Sequence, residues 1–429
     1  MKSKFVKSTI ILIIGGLITK LLGMFIKIVL TRVIKEDGIS LYMLVLPTFN
    51  LFITLCTMGL IPAVSKLISE RKKSSKKIIL SLVPTLIIYN LFLMVVLLFI
   101  SPVLSKYLLH NTSTYLPIMA ISFTLPFICI SSLIKGYYFG KEKMFPHVLS
   151  NIIEQLVRLF LTYFYIPKLL YYGISIMVMG VVLINILSEF ISIIVLILFL
   201  PKNEVISISD YKIDKSIFKD VLSISIPSTG SRLIGSIVYF LEPIILTYFL
   251  HLSGYSGNYI TLEYGIINGY VYPLLLMPSF FTLAISNSLL PVLSNSYANR
   301  NIRYSKKKLK EGIIFSLLIG IPVTIIFMLF PSVPLKLIYN TTLGVNYISI
   351  CAPFFLLYYI QAPLTSAMQA MNKAKEAMYG TLIASLVKTI LLIILSLCKI
   401  GLYSLIISSV VNILIVTIHH YYYVRKCLR

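Results

Sequence analysis

The sequence predicts an all-α polytopic membrane protein of about twelve transmembrane helices, arranged as two lobes of six. Three observations predict it. Apolar residues make up 58% of the 429 and charged residues only 12%, against about 25% charged in a soluble domain, and the mean hydropathy is +0.94. Apolar runs long enough to cross a bilayer as helices recur along the whole chain. The connections between those runs alternate between strongly basic and nearly uncharged.

Taken in order, the spans cover 8–34, 41–69, 79–104, 115–139, 147–166, 171–200, 217–250, 258–290, 309–331, 344–371, 377–398 and 402–424. Several exceed the roughly 20 residues a spanning helix needs, so tilts or kinks are expected. Pro126, Pro227, Pro243, Pro278, Pro322, Pro353 and Pro363 fall inside spans, where neighbours or water can satisfy the carbonyls they free. The basic start Met1-Lys2-Ser3-Lys4 resembles that of a signal peptide. The apolar run behind it is too long for one and no small-x-small site follows, so an uncleaved first span is expected.

Charge sets the topology. One set of connections holds Lys2, Lys4 and Lys7, the cluster from Arg71 to Lys77, Lys141 and Lys143, the lysines at 202–219, the cluster from Arg300 to Lys310, Lys373 and Lys375, and the C-terminal Arg425, Lys426 and Arg429. The alternate set holds Arg32, Lys35, Lys106, Lys168, Lys336 and Lys399. Cytoplasmic loops carry the excess of Lys and Arg, so both termini are expected in the cytoplasm of a multi-pass cell-membrane protein. The same asymmetry accounts for most of the formal charge of +24 and argues against a nucleic-acid partner, because the basic clusters are short loops at a membrane face. Cys56, Cys129, Cys351, Cys398 and Cys427 are isolated, which indicates neither a disulfide framework nor a metal site, and no cofactor is implied.

The longest polar stretch, 201–216, carries Glu204, Asp210 and Asp214 among lysines. It is expected to be a cytoplasmic linker, partly interfacial, between an N-terminal lobe at 1–200 and a C-terminal lobe at 217–429. The lobes resemble each other. Thr19-Lys20-Leu21-Leu22-Gly23 matches Ser231-Arg232-Leu233-Ile234-Gly235, Ile61-Pro62-Ala63-Val64-Ser65 matches Leu290-Pro291-Val292-Leu293-Ser294, and Gly140-Lys141-Glu142 parallels Lys373-Ala374-Lys375. Six helices is an even number, so the two repeats share one orientation.

The most informative residues are charges within the spans. Lys20, Arg158, Arg232 and Lys388 lie at middle depth in spans one, five, seven and eleven, each roughly 15–20 Å from a cytoplasmic helix end at 1.5 Å per residue. A charge there costs roughly 2.5–3.5 kcal/mol even on the lenient insertion scale, so each must face water or a counter-charge. The acidic residues are Glu154, Glu189 and Glu242. Glu154 precedes Arg158 by four residues, the favourable order for an ion pair along one helix face. Each glutamate is also a candidate for a coupling proton or sodium ion. Amides such as Asn90, Asn268, Asn287, Gln361 and Gln369 suit interhelical hydrogen bonds or, alternatively, sugar hydroxyls.

The block Leu41-Tyr42, Pro47, Gly59-Leu60 and Pro62-Ala63-Val64-Ser65-Lys66-Leu67-Ile68-Ser69-Glu70, with Lys135-Gly136-Tyr137-Tyr138-Phe139-Gly140 through Glu154-Gln155 and Arg158, resembles the stage V sporulation protein B group. That group belongs to the polysaccharide-transport branch of the multidrug/oligosaccharidyl-lipid/polysaccharide (MOP) exporter superfamily, with lipid II flippases and MATE drug exporters as relatives. The resemblance implies a V-shaped MATE-like fold around a hydrophilic cavity, and no enzymatic activity. It implies export or flipping of a polyprenyl-diphosphate-linked oligosaccharide or cell-wall precursor by alternating access. Lys20, Arg158, Arg232 and Lys388 would then be substrate-binding, presenting cations to the diphosphate of an anionic lipid-linked glycan. Glu154, Glu189 and Glu242 would be the coupling-ion candidates for Na+ or H+. Two departures accompany the resemblance. The group usually carries fourteen spans against about twelve here, and the second span is apolar around Leu51, where lipid II flippases carry arginine.

Two rivals are set aside. A cation-coupled MATE-type multidrug antiporter wants an acidic, aromatic cavity, and the mid-depth charges here are basic. A membrane glycosyltransferase wants an acidic outer loop, and the outer connections hold little beyond Glu36, Asp37 and Glu263.

Overall fold

A computed structural model describes residues 2–70, 74–201 and 215–428. The expected linker lies almost wholly outside the described residues, as do Arg71, Lys72 and Lys73 of the Arg71–Lys77 cluster. Among the described residues every regular element is a helix. The chain forms two compact units, Met1–Ile244 and Ile245–Arg429.

The first unit opens with α1 (Lys2–Thr57), broken at Lys35, whose φ of 55° and ψ of −164° leave the helical region. The break falls between the first two expected spans, so α1 supplies the first and most of the second, 41–69, which α2 completes. Met58 and Gly59 turn the chain at positive φ into the short α2 (Leu60–Ser69). There follow α3 (Ser75–Val103), α4 (Tyr115–Gly140), α5 (Met144–Leu169), α6 (Ile174–Leu198) and α7 (Lys215–Leu252). Ser74 caps α3 by accepting from the Lys77 N–H, satisfying one of the donors a helix start leaves open.

The core of this unit is α4. Ile118, Ile121, Leu125, Leu133, Tyr137 and Tyr138 are all buried, and the Tyr138 hydroxyl donates to the Leu196 carbonyl on α6 at 2.6 Å. Two glycines four apart set how closely α4 lies on α2. A Cβ on Gly136 would stand 3.0 Å from Val64 Cβ, and one on Gly140 would stand 2.8 Å from the Ser65 carbonyl oxygen. Small residues at this spacing let membrane helices approach backbone to backbone. The glycines of the Lys135–Gly140 block are thus a packing device. Outward, Phe99, Phe160, Tyr163, Phe164 and Leu198 are exposed, the surface that acyl chains cover in a polytopic protein.

The second unit takes in the end of α7 and then α8 (Gly257–Ile266), α9 (Tyr272–Leu276), α10 (Ser279–Ala298), α11 (Ile302–Leu329), α12 (Ser332–Tyr339), α13 (Val345–Ala370), α14 (Ala374–Leu397) and α15 (Tyr403–Cys427). The α8–α9 limb and α10 meet at a 47° bend. Here α13 plays the part of α4, packing against α10, α11 and α15. The Tyr359 hydroxyl donates to the Leu275 carbonyl at 2.7 Å, and Ser286 and Ser366 share a hydrogen bond at 2.5 Å.

Among the described residues nine helices are long and apolar enough to span a membrane, or ten with the bent pair. The broken α1, completed by α2, holds two of the expected spans, and α5 has span length with its polar residues on one stretch. The architecture is all-α and multi-pass, and it accommodates the twelve expected spans.

The repeat is visible in the turns. After α4, the N–H groups of Lys141, Glu142 and Lys143 donate to the carbonyls of Tyr137, Phe139 and Tyr138; after α13, those of Met371, Asn372 and Lys373 donate to Ala367, Gln369 and Met368. Glu142 and Asn372 both sit at positive φ, 56° and 59°. Glycines at positive φ also stand before α6 and α15, Gly173 as the N-cap at 103° and Gly401 two residues before the helix at 61°. The geometry pairs Lys143 with Lys373, which corrects the register of the sequence match between Gly140-Lys141-Glu142 and Lys373-Ala374-Lys375.

Candidate functional site

The α4–α5 hairpin and α6 bring four charged side chains together inside the first unit. Gly136 and Gly140 hold α4 in place, the tight turn at Glu142 reverses the chain, and α6 packs on both α4 and α5. Lys135 comes from α4, Glu154 and Arg158 from α5, and Glu189 from α6. The Lys135 Nζ lies 3.4 Å from Glu154 Oε2 and 3.9 Å from Glu189 Oε2. On its other side Glu154 Oε1 accepts from Arg158 Nη2 at 2.9 Å. Lys135 is 9% exposed and Glu154 6%, so neither charge can be carried by solvent and each depends on its neighbours.

Two cations and two carboxylates make the cluster formally neutral, but its bonding is uneven. Glu154 is held from both sides. Glu189 has Lys135 only at 3.9 Å, beyond hydrogen-bond range, and its Oε2 is buried with no hydrogen-bond partner. Arg158 Nε is likewise buried without one. Tyr42 on α1 stands within electrostatic reach of Arg158, and Tyr239 on α7 within reach of both Tyr42 and Glu242. A hydrogen bond of 2.8 Å between Thr54 and Ser236 fastens α7 to the second limb of α1.

The structure joins Glu154 to Arg158 directly, and to Glu189 through Lys135. Lys20 on α1 and Arg232 on α7 are exposed, Lys388 on α14 is half-buried in the other unit, and Glu242 on α7 is buried. A Cβ built on Gly16, Gly23, Gly230 or Gly235 would meet nothing within 4 Å. Gly16 and Gly23 share a helical face with Lys20, as Gly235 does with Arg232.

Lys135 escaped the sequence reading because it sits close to a basic loop and was absorbed into the Lys135–Gly140 block. The signal was a charge imbalance. Spans five and six hold two carboxylates and one arginine, and a buried carboxylate demands a second cation.

Residues 5–297 match the family described as Polysaccharide biosynthesis protein, and residues 269–394 match the MatE family. The chain is 34% identical to Stage V sporulation protein B of Bacillus subtilis (strain 168), over 100% of this chain and 85% of that protein. It is 21% identical to the Lipid II flippase MurJ of the same organism, over 91% and 77%. Among solved structures it is similar to an inward-facing multidrug resistance MATE family transporter of the MOP superfamily, with a TM-score of 0.76, 16% identity, and 96% and 94% of the two chains covered. It is also similar to Lipid II flippase MurJ in an inward closed conformation, with a TM-score of 0.73, 16% identity, and 98% and 89% covered. The fold is MATE-like.

Proposed function

Because this chain belongs to the polysaccharide biosynthesis protein family, we propose that it is a flippase for a polyprenyl-diphosphate-linked oligosaccharide or cell-wall precursor. It works by alternating access in the cell membrane, with both termini cytoplasmic. The relatives named for sporulation and for lipid II flipping support the substrate class.

The observation that carries the reading is the setting of Lys20 and Arg232. Both are exposed at mid-span positions beside glycines with open space at their Cβ positions. An ammonium or guanidinium facing hydrocarbon at that depth is costly, so each calls for water or an anion beside it. Lys and Arg side chains bind phosphate oxygens through charge-assisted hydrogen bonds, and a diphosphate meets this requirement. Lys388, half-buried on α14 of the second unit, is a substrate-binding candidate by its charge. Arg158, held by Glu154, serves the internal cluster first and the substrate second.

The energetics favour outward movement. Carrying about two negative charges outward from the negative side of a potential of about 100 mV is downhill by roughly 5 kcal/mol. Glu189, the under-bonded carboxylate of the cluster, is the leading site for a coupling proton or Na+, with Glu154 and Glu242 as the other acidic groups. Neutralising Glu189 would free Lys135 to move wholly to Glu154, a rearrangement that spans α4, α5 and α6.

Native mass spectrometry of the purified chain tests the substrate class. The expected result is co-purified polyprenyl-diphosphate glycan that is lost from Lys20→Ala/Arg232→Ala. Retention of cationic amphiphiles by the wild type, with no diphosphate lipid, contradicts it and favours drug export.

A further inference from the structure

The second unit contains a cavity of about 350 Å³ between α10 and α13, within the size range of small-molecule sites. Its lining includes Asn287, Tyr358, Gln361, Thr365 and Gln369, and none of its lining side chains is charged. The groups facing it fall into two kinds. Gln361 is fixed from behind, its Nε2 donating to the Ile413 carbonyl at 3.1 Å and to Thr417 Oγ1 at 2.9 Å, which leaves its side-chain Oε1 available. The Thr365 hydroxyl donates to the main-chain carbonyl of Gln361 at 2.8 Å and pairs with His420 Nδ1 at 3.3 Å. The side-chain amides of Asn287 and Gln369, both exposed, and the Tyr358 hydroxyl make no hydrogen bond among the described residues.

Four ligand chemistries can be weighed against this lining. A diphosphate wants Arg or Lys, and none lines the cavity. A cationic drug wants a carboxylate or an aromatic cage, and one tyrosine ring is not a cage. An apolar ligand would strand the amides and hydroxyls at a cost of about 1–3 kcal/mol each. A neutral polyol fits, because amides and vicinal hydroxyls both donate and accept, and the flat Tyr358 ring offers an apolar face for a pyranose.

We propose that this uncharged cavity of the second unit binds the sugar portion of the substrate and sets glycan selectivity. The proposal rests on the flippase reading and deepens it. Phosphate affinity and sugar affinity then belong to different residues and can be changed separately.

The test titrates the full chain in detergent with undecaprenyl diphosphate and with a panel of undecaprenyl-diphosphate-linked mono- and disaccharides, followed by native mass spectrometry. Wild type is expected to prefer at least one glycosylated lipid over undecaprenyl diphosphate by about tenfold, the worth of one or two neutral hydrogen bonds. Asn287→Ala/Gln369→Ala is expected to erase that preference while leaving undecaprenyl diphosphate binding unchanged. Both residues are exposed and without partners, so the fold should survive, and the unfolding midpoint checks this. The proposal is overturned if wild type shows no preference, if the double variant keeps it, or if both lipids weaken equally. Wild type binding neither kind of lipid would instead remove the flippase reading itself.

Discussion

The Arg158 guanidinium donates to the Glu154 carboxylate at 2.9 Å, one helical turn apart on α5. Lys135 approaches the other oxygen of that carboxylate from α4. Glu154 is therefore the hub of a buried network, and removing it leaves two cations sharing Glu189. Breaking a buried pair by removing one partner costs about 3–5 kcal/mol. Glu154→Gln should lower the detergent unfolding midpoint sharply, and Lys135→Met should do the same. Lys135→Met/Glu189→Gln removes one charge of each sign and should fall less than Lys135→Met alone. Equal losses in the single and double variants would show that the charges do not interact.

Gly140 predicts a steric effect at a second place. A Cβ there meets the Ile68 side chain and the Ser65 carbonyl oxygen, the latter backbone that cannot swing aside. Gly140→Ala should cost about 1–3 kcal/mol, the range for overpacking a filled site, and Gly140→Leu should abolish the monodisperse peak in size-exclusion chromatography. Gly16→Ala, with nothing within 4 Å, should leave the peak intact.

Topology can be checked from both sides of the membrane. Ser74 caps α3 beside a basic connection, and Ser113 lies in the turn before α4. In a Cys398→Ser background, Ser74→Cys should be protected from a membrane-impermeant maleimide in intact cells, while Ser113→Cys should be labelled. The reverse pattern would invert the orientation deduced from the lysines and arginines.

Spans and loops were legible because lipid imposes a plain rule: apolar for about 20 residues, then polar. The break at Lys35 lies where the first two apolar runs part, and the turns after α4 and α13 lie where the sequence placed connections. Two things were less visible. The division between the compact units falls within α7, at Ile244 and Ile245, because packing rather than hydropathy decides which neighbour a continuous helix joins. The partnership of Lys135 with Glu154 and Glu189 needs the angle and rotation of three helices, which apolar periodicity in a membrane does not encode: both lipid-facing and core-facing residues are apolar. Arg158 with Glu154 was foreseeable, since four residues on one helix fix their own geometry.

Lys20→Ala and Arg232→Ala separate charge from structure. Both residues are exposed, so each variant should fold with an unchanged unfolding midpoint. Each should weaken undecaprenyl diphosphate binding about tenfold or more, the worth of a charge-assisted hydrogen bond of roughly 1.5–3 kcal/mol. Lys20→Arg should retain most of the affinity. Loss of binding only alongside loss of folded protein would assign these residues to structure.

Head-group translocation in proteoliposomes tests the central claim most directly, with a fluorescent polyprenyl-diphosphate-linked glycan in one leaflet and a membrane-impermeant quencher. Wild type is predicted to move the head group across, and Lys20→Ala/Arg232→Ala to be inert at equal reconstitution. Full transport by that double variant, with transport abolished by Glu242→Gln, would contradict the cationic-site account and place the chemistry on the acidic residues instead.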